Sequence, residues 1–270
     1  MNKDGGDWES PCQQLRGRTL SVDLIRAVDR MAVERFGMHS LVLMENAAVA
    51  CARWLDAWPK LRRRITHRTL TPIPKPFTAV GRAAILCGRG NNGGDGLAIA
   101  RHLRAEGWHC DVFVLGPLDG LSSDALANLK ILTAVDTCGA TIVDAEAASH
   151  KLVSISLDAA DVVVDAMLGS GARGAPRPPL DRWIDRANAA AALRVAIDIP
   201  TGLDAANGEV AGTVLRADVT LTFVALKPGF HQLAARRVLG EVIVMPIGIP
   251  VEMIRELLNQ SEPSELCGGS

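Results

Sequence analysis

The stretch CGRGNNGGDGLAIARHL, residues 87–103, sets glycines at 88, 90, 93, 94 and 96, two adjacent asparagines and an aspartate at the mouth of a helix. It follows the apolar run AAILCG (83–88), whose composition and length predict a strand. The helix is expected over 95–106. Strand, glycine turn and helix open a βαβ unit, and the same alternation continues along the chain. DVFVLG (111–116), TIVDA, DVVVDAML (161–168), RVAIDIP (194–200), VTLTFVAL (219–226) and GEVIVMPIG (240–248) read as further strands, with helical SSDALANLKILTAV and PLDRWIDRANAAAA between them. Strands this apolar are buried on both faces. The alternation therefore predicts a mainly parallel sheet with helices on each side, in one doubly wound α/β domain.

The 270 residues are 48% hydrophobic and 22% charged, as expected of a globular chain with a sizeable core. A net charge of −1 gives no electrostatic case for a nucleic-acid or anionic-membrane partner. Tyrosine is absent and aromatics make up 4%, too few for a base-stacking platform. Cysteines at 12, 51, 87, 110, 138 and 267 are scattered without a C-x-x-C pair, which speaks against zinc and a disulfide framework and for a reduced, cytoplasmic compartment. No apolar leader core or membrane-length apolar run is found.

Residues 1–18 are polar and glycine-rich and read as a loose tail, and 256–270 as a frayed end. Leu24, Ala27, Val28, Met31 and Ala32 recur at helical spacing, with Ser21 placed to cap the start and Gly37 the end. SLVLMENAAVACARWLDAW (40–58) is apolar on most sides and predicts a buried second helix. The following KLRRRITHRTLTPIPKPFTAVG combines consecutive arginines with closely spaced prolines. Residues 62–80 read as a loop insertion in preference to a docking site for an acidic partner.

Open parallel sheets bind ligands at the carboxyl ends of their strands. Three strand ends here carry polar groups: Gly88–Gly96, Asp165–Gly174 and Asp198–Asp204. Gly88, Gly90 and Gly93 form G-x-G-x-x-G, a pattern that brings backbone N–H groups and a helix N-terminus against pyrophosphate. In a nicotinamide dehydrogenase an acid about 20 residues on ends the next strand and holds the ribose. Asp111, at that distance, opens its strand instead, so the dehydrogenase reading loses ground. Asp95 reads either as a helix cap or as a functional carboxylate, and Arg173 either as a phosphate contact or as a solvated side chain. Asp198 interrupts an apolar strand end, where a buried carboxylate must be hydrogen-bonded, ligated or protonated. Pro200 and Gly202 fix a turn that presents Thr201.

LMENAA (43–48), CGRGNNGGDGLAIARHL, VVVDAMLGSG, AIDIPTGLDA followed by GEV, TLTFVALKPG and GEVIVMPIGIP occur in the order found in the YjeF N-terminal domain family, which the chain resembles over roughly residues 18–255. Its best-understood members are NAD(P)H-hydrate epimerases. Thr201 stands where serine is commoner, and 62–80 is not part of the pattern. The resemblance implies a three-layer α/β/α, Rossmann-like domain over 19–255, usually homodimeric, that binds hydrated NADH or NADPH and a potassium ion. It assigns dinucleotide contacts to Asn91, Asn92, Gly93, Gly94 and Asp95, to Gly169, Ser170, Gly171, Ala172, Arg173, Gly174 and Ala175, and to Asp198. Potassium ligands would be Asn92, Asp165 and Thr201, oxygen donors suited to a hard cation.

The implied reaction inverts C6 of a reduced nicotinamide ring that has added water. Loss of hydroxide to an iminium, or ring opening at N1–C6, each needs a proton donor that becomes an acceptor. Asp198 is the expected group, with a pKa raised toward the working pH. Family members are often fused to an ADP- or ATP-dependent dehydratase that uses one epimer; here it is expected on a separate polypeptide. The alternative reading is a non-catalytic nucleotide- or RNA-binding scaffold, against which the retained NNGGDG, Asp165 and Asp198 set argues.

Overall fold

The apolar runs fold as the alternation predicts. The computed structural model describes residues 17–65, 81–134, 140–144, 150–250, 252–254 and 256. In chain order these form α1 (Val22–Glu34), α2 (Ser40–Ile65), β1 (Arg82–Cys87), α3 (Asn91–Ala105), β2 (His109–Val114), α4 (Ser123–Ala134), β3 (Ala140–Asp144), α5 (His150–Ala159), β4 (Val162–Ala166), α6 (Leu180–Ala189), β5 (Leu193–Ile197), β6 (Val219–Phe223), α7 (Leu233–Leu239) and β7 (Glu241–Met245). The sheet runs β3-β2-β1-β4-β5-β6-β7, and every ladder is parallel. The winding reverses at β1, which lies between β2 and β4, so the carboxyl ends of β1 and β4 flank the switch point.

Each face of the sheet is covered. Ile85, Val112, Val164, Val195 and Leu221 pack with Cys51, Leu55, Leu97, Leu103 and Leu129 of α2, α3 and α4. Ala84, Leu86, Phe113, Val163 and Ala196 pack with Leu157, Trp183, Ile184 and Ala187 of α5 and α6. α1 closes the molecule over the ends of β6 and β7, burying Ile25, Val28 and Ala32 with Leu43, Ala47, Ala225 and Ile247. Its start is capped as expected, with Ser21 Oγ accepting from Leu24 N at 3.2 Å.

Four expectations are corrected. α3 begins at Asn91 behind an N-cap at Gly90, so the NNGG segment is helix and Asp95 caps nothing. The glycines explain this. A β-carbon on Gly93 would meet Gly88 O at 1.8 Å, and one on Gly96 would meet Ala166 Cβ at 2.6 Å, so bare backbone seats α3 against the strands. α2 runs through the first arginines to Ile65, since leucine and arginine are strong helix formers, so residues 62–65 are helical and not loop. α5 and α7 were not expected; α5 mixes serine and charge with apolar residues, and α7 is only seven residues long. The remainder of the expected tails and insertion, residues 1–16, 66–80 and 257–270, lies outside the described residues. Among the described residues no helix is long and apolar enough to cross a membrane.

Candidate active site

The carboxyl ends of β4 and β5 build two neighbouring aspartate nests. Asp165, fully buried, accepts from Met167 N (3.1 Å) and Thr201 Oγ1 (2.7 Å) through Oδ1 and from Thr201 N (2.8 Å) through Oδ2. Thr201 Oγ1 accepts in turn from Leu168 N at 3.0 Å. All these donors are neutral. Burial pushes the Asp165 carboxyl up to about 6, against the downward pull of the Thr201 and Met167 bonds.

Asp198 is held differently. Its Oδ2 accepts from Ser170 N at 2.7 Å, and its Oδ1 lies 2.6 Å from Lys227 Nζ. Lys227 is fully buried; its ammonium also donates to Thr222 Oγ1 and to Phe223 O. Burial acts to raise the Asp198 carboxyl, but the Lys227 charge and the bonds from Lys227 and Ser170 outweigh it and hold it below the ordinary aspartate value. The expected upward shift is thus overturned: Asp198 is an ionised carboxylate at neutral pH. Its backbone is forced into place as well, at φ 66°, with its N bonded to Leu221 O (2.8 Å) and its carbonyl accepting from Thr222 Oγ1 (2.8 Å).

Asn92, in the first turn of α3, is 9% exposed, and neither its Oδ1 nor its Nδ2 has a hydrogen-bond partner. Leaving such a group unpaired costs roughly 1–3 kcal/mol, so the amide is poised for a ligand. A β-carbon on Gly169 would stand 3.1 Å from Asp198 Oδ2 and 3.3 Å from Asn92 Cβ, so the chain passes closely between them. Met167 to Gly169 therefore connects the Asp165–Thr201 nest to the open amide. One orphan amide oxygen and one buried anion with neutral partners are a donor set that fits a hard monovalent cation.

Asp198 also lines a cavity of about 340 Å³, a volume suited to part of a small ligand. Ile25, Leu43, Met44, Phe223, Val224 and Ile247 give it apolar walls, and Asn91, Asp29, Asp95, Asp124 and Asp198 supply polar groups. The two non-glycine residues with left-handed backbone among the described residues, Asp198 (φ 66°) and Val224 (φ 63°), both line it. Strain of this kind gathers at functional sites. Burial, then the charges of Asp198, Asp29 and Asp124, drive the Asp95 carboxyl well above its ordinary value. Burial and Asp198 raise Asp29 to about 6 despite Lys227 and Arg30.

The structure thus brings Asn91, Asp95 and Asp198 to one cavity, bonds Thr201 to Asp165, and sets Asn92 beside Gly169. Gly93 and Gly94 serve packing: a β-carbon on Gly94 would strike Met44 Cε at 2.6 Å. No residue of the loop Gly169–Ala175 lines this cavity; the loop runs out to the surface, where Arg173 is exposed and 3.7 Å from Asp204 Oδ2. The Arg26 guanidinium lies over Gly171 of that loop. Asp111 sits near the amino end of β2, accepting from Ser156 Oγ at 2.7 Å, far from any ribose-binding strand end. Sequence reasoning missed Lys227, whose signal was a lysine between an apolar strand and a Pro-Gly turn. It also missed Asp29, which interrupts the apolar i, i+4 row Ile25–Asp29–Val33 on the face of α1 that lines the cavity together with Arg30 and Glu34.

A doubly wound parallel sheet with polar strand ends at its switch point defines a Rossmann-like α/β domain. The model of the family described as YjeF-related protein N-terminus matches residues 40–229, and the chain belongs to that family. It is 38% identical over 232 residues to a Rhodopirellula baltica protein named NAD(P)H-hydrate epimerase, covering 86% of this chain and 85% of that one. A Pirellula staleyi protein of the same name is 37% identical over 86% of this chain and 93% of its own. A bifunctional NAD(P)H-hydrate repair enzyme of Methanothermobacter thermautotrophicus is 42% identical over 84% of this chain but only 40% of its own length. The crystal structure of the yeast protein ynu0 shares the fold, with a TM-score of 0.64 at 20% identity, over 89% of this chain and 93% of that one.

Proposed function

We propose that this protein is an NAD(P)H-hydrate epimerase, interconverting the R and S forms of NADH or NADPH hydrated at C6 of the nicotinamide ring. The observation that carries the reading is Asp198, an ionised, backbone-strained carboxylate fixed by Lys227 and Ser170 N at the wall of the cavity. The C6 hydroxyl lies beside N1, a hemiaminal-like centre that inverts by proton transfer alone. A carboxylate held ionised within reach of that centre accepts a proton from the hydroxyl or from incoming water. Lys227 keeps it charged, and the apolar wall of Leu43, Met44 and Phe223 shields the ring from bulk water.

Asn92, Asp165 and Thr201 would hold potassium, which would supply charge neutralisation and order the Met167–Gly169 segment. The dinucleotide phosphates fit the Gly169–Ala175 loop better than the acidic cavity, with Arg173 in the loop and Arg26 over Gly171 as the cations at hand. The family resemblance also supports a homodimer, a cytoplasmic location and an ADP- or ATP-dependent dehydratase that consumes the product. The buried free thiols of Cys51, Cys87 and Cys110 accord with a reducing compartment.

The test is direct. R-enriched hydrated NADH, incubated with protein and potassium, relaxes to the R/S equilibrium mixture faster than without protein, and chromatography shows no NADH or NAD+. Unchanged relaxation with folded protein overturns the enzyme reading, and tight RNA binding by that preparation favours a scaffold.

A further inference from the structure

Inversion at C6 through a planar iminium needs two proton transfers: one to the departing hydroxyl and one from the water that returns. Asp198, held ionised by Lys227, is suited to the second and has no proton to give in the first until it has taken one up from water. The cavity offers another carboxyl from a different element. Asp29 lies on α1, lines the same space, and makes no hydrogen bond or ion pair with a described residue. Its neighbours in the row, Ile25 and Val33, also line the cavity, so the helix aims this face at the site. An acid turned into ligand space without a hydrogen bond or ion pair among the described residues serves no packing role.

Resting on the epimerase reading, we infer that Asp29 is a second catalytic residue, the proton donor that works opposite Asp198. In one direction the C6–O bond breaks as Asp29 passes its proton to the leaving oxygen, which departs as water. A water then adds to C6 on the other face, and its proton goes to the Asp198 carboxylate. The substrate gains and loses one water, no electrons move, and the proton now on Asp198 returns to Asp29 through solvent before the next turnover. The opposite epimer uses the same pair with the roles exchanged, so the working enzyme carries a single proton on the two carboxyls.

The electrostatics agree with this division. The groups facing Asp29 are Arg30 and Glu34 on its own helix, Asp95 from α3, Asp124 from α4, Asp198 after β5 and Lys227 after β6. Burial and the Asp198 charge raise its carboxyl to about 6, while the Asp198 carboxyl is lowered. Two carboxyls driven apart in this way mark an acid and a base. Asp29 loses its proton as pH rises through about 6, so kcat/KM for epimerisation falls above that point.

The experiment measures R/S relaxation of hydrated NADH from about pH 5 to about pH 9 for the wild type, Asp29→Asn and Asp29→Glu, with melting temperatures alongside. The wild type is expected to show the decline above about pH 6. Asp29→Asn is expected to lose about 100-fold in kcat with KM within about threefold, and to lose that decline. Asp29→Glu recovers part of kcat and restores it. A wild-type profile flat across this range overturns the pair even if the variants fail to fold. So does an Asp29→Asn enzyme within about threefold of wild-type kcat, and in both cases the epimerase reading stands. A wild type that does not speed relaxation at any pH overturns the epimerase reading and the pair with it.

Discussion

Asp165 and Asp198 end adjacent parallel strands, lie largely out of water, and each accepts backbone N–H bonds, yet they are driven in opposite directions. Asp165 has only neutral donors around it and its carboxyl rises to about 6. Asp198 has Lys227 at 2.6 Å and falls below its ordinary value. Two or three neutral hydrogen bonds do not offset the desolvation of a carboxylate here, and one buried ammonium does. The nest without a built-in cation is joined through Met167–Gly169 to the unpartnered Asn92 amide, since Met167 N bonds Asp165, Leu168 N bonds Thr201 and Gly169 lies against Asn92. A fixed lysine suits a carboxylate that must stay charged and face the cavity. An exchangeable cation suits one that organises a turn.

Removing the charge from the Asp198 nest is the strongest way to break this comparison. Asp198→Asn is expected to slow epimerisation by about 100-fold or more, since the amide keeps the Ser170 bond but accepts no proton. Retention of most activity would take Asp198 out of the chemistry. The same change strands Lys227 Nζ, which keeps only Thr222 Oγ1 and Phe223 O.

Lys227→Met tests the other partner. A buried ion pair broken on one side costs about 3–5 kcal/mol, so denaturant unfolding should show a loss of that order. kcat should fall roughly tenfold as Asp198 takes up a proton at higher pH. Lys227→Met combined with Asp198→Asn should recover stability without recovering activity. Equal destabilisation by the single and double variants would show that lysine packing, and not the ion pair, is what the fold needs.

How much of this was legible beforehand follows from the physics of each part. The strands were readable because β1, β2 and β4 are buried almost throughout and so are made mostly of apolar residues, with Asp111 and Asp165 as the buried exceptions. The three polar strand ends stood out against that background, and Asp165, Thr201 and Asp198 converge as their positions at β4 and β5 required. The start of α3 was misplaced because helix propensity disfavours Asn-Asn-Gly-Gly, whereas the close approach of α3 to Gly88 and Ala166 demands it. The state of Asp198 was misjudged because Lys227 lies 29 positions away in sequence, and no local pattern says which buried acid receives a buried base. Asp29 escaped notice for a similar reason: only the cavity shows that its row faces ligand space and not solvent.

The smallest expected effect sharpens the Asp165 side. Thr201→Val removes a hydroxyl that donates to Asp165 at 2.7 Å and accepts from Leu168 N at 3.0 Å, and with it one oxygen of the proposed potassium set. Thr201→Ser keeps both roles and drops only a methyl group. Activity titrated with potassium against a sodium background should therefore give superimposable curves for the wild type and Thr201→Ser. Thr201→Val should need roughly five- to tenfold more potassium for half-maximal rate, the equivalent of about 1–1.4 kcal/mol for one weakened contact. Stability separates this from a general loosening of the turn. The lost hydroxyl bonds cost about 1–2 kcal/mol in either salt, but the additional stabilisation that potassium gives over sodium should shrink in the valine variant alone. If all three proteins share one potassium curve, Thr201 is a turn residue that satisfies Asp165, and the comparison reduces to hydrogen bonds against a salt bridge with no ion involved.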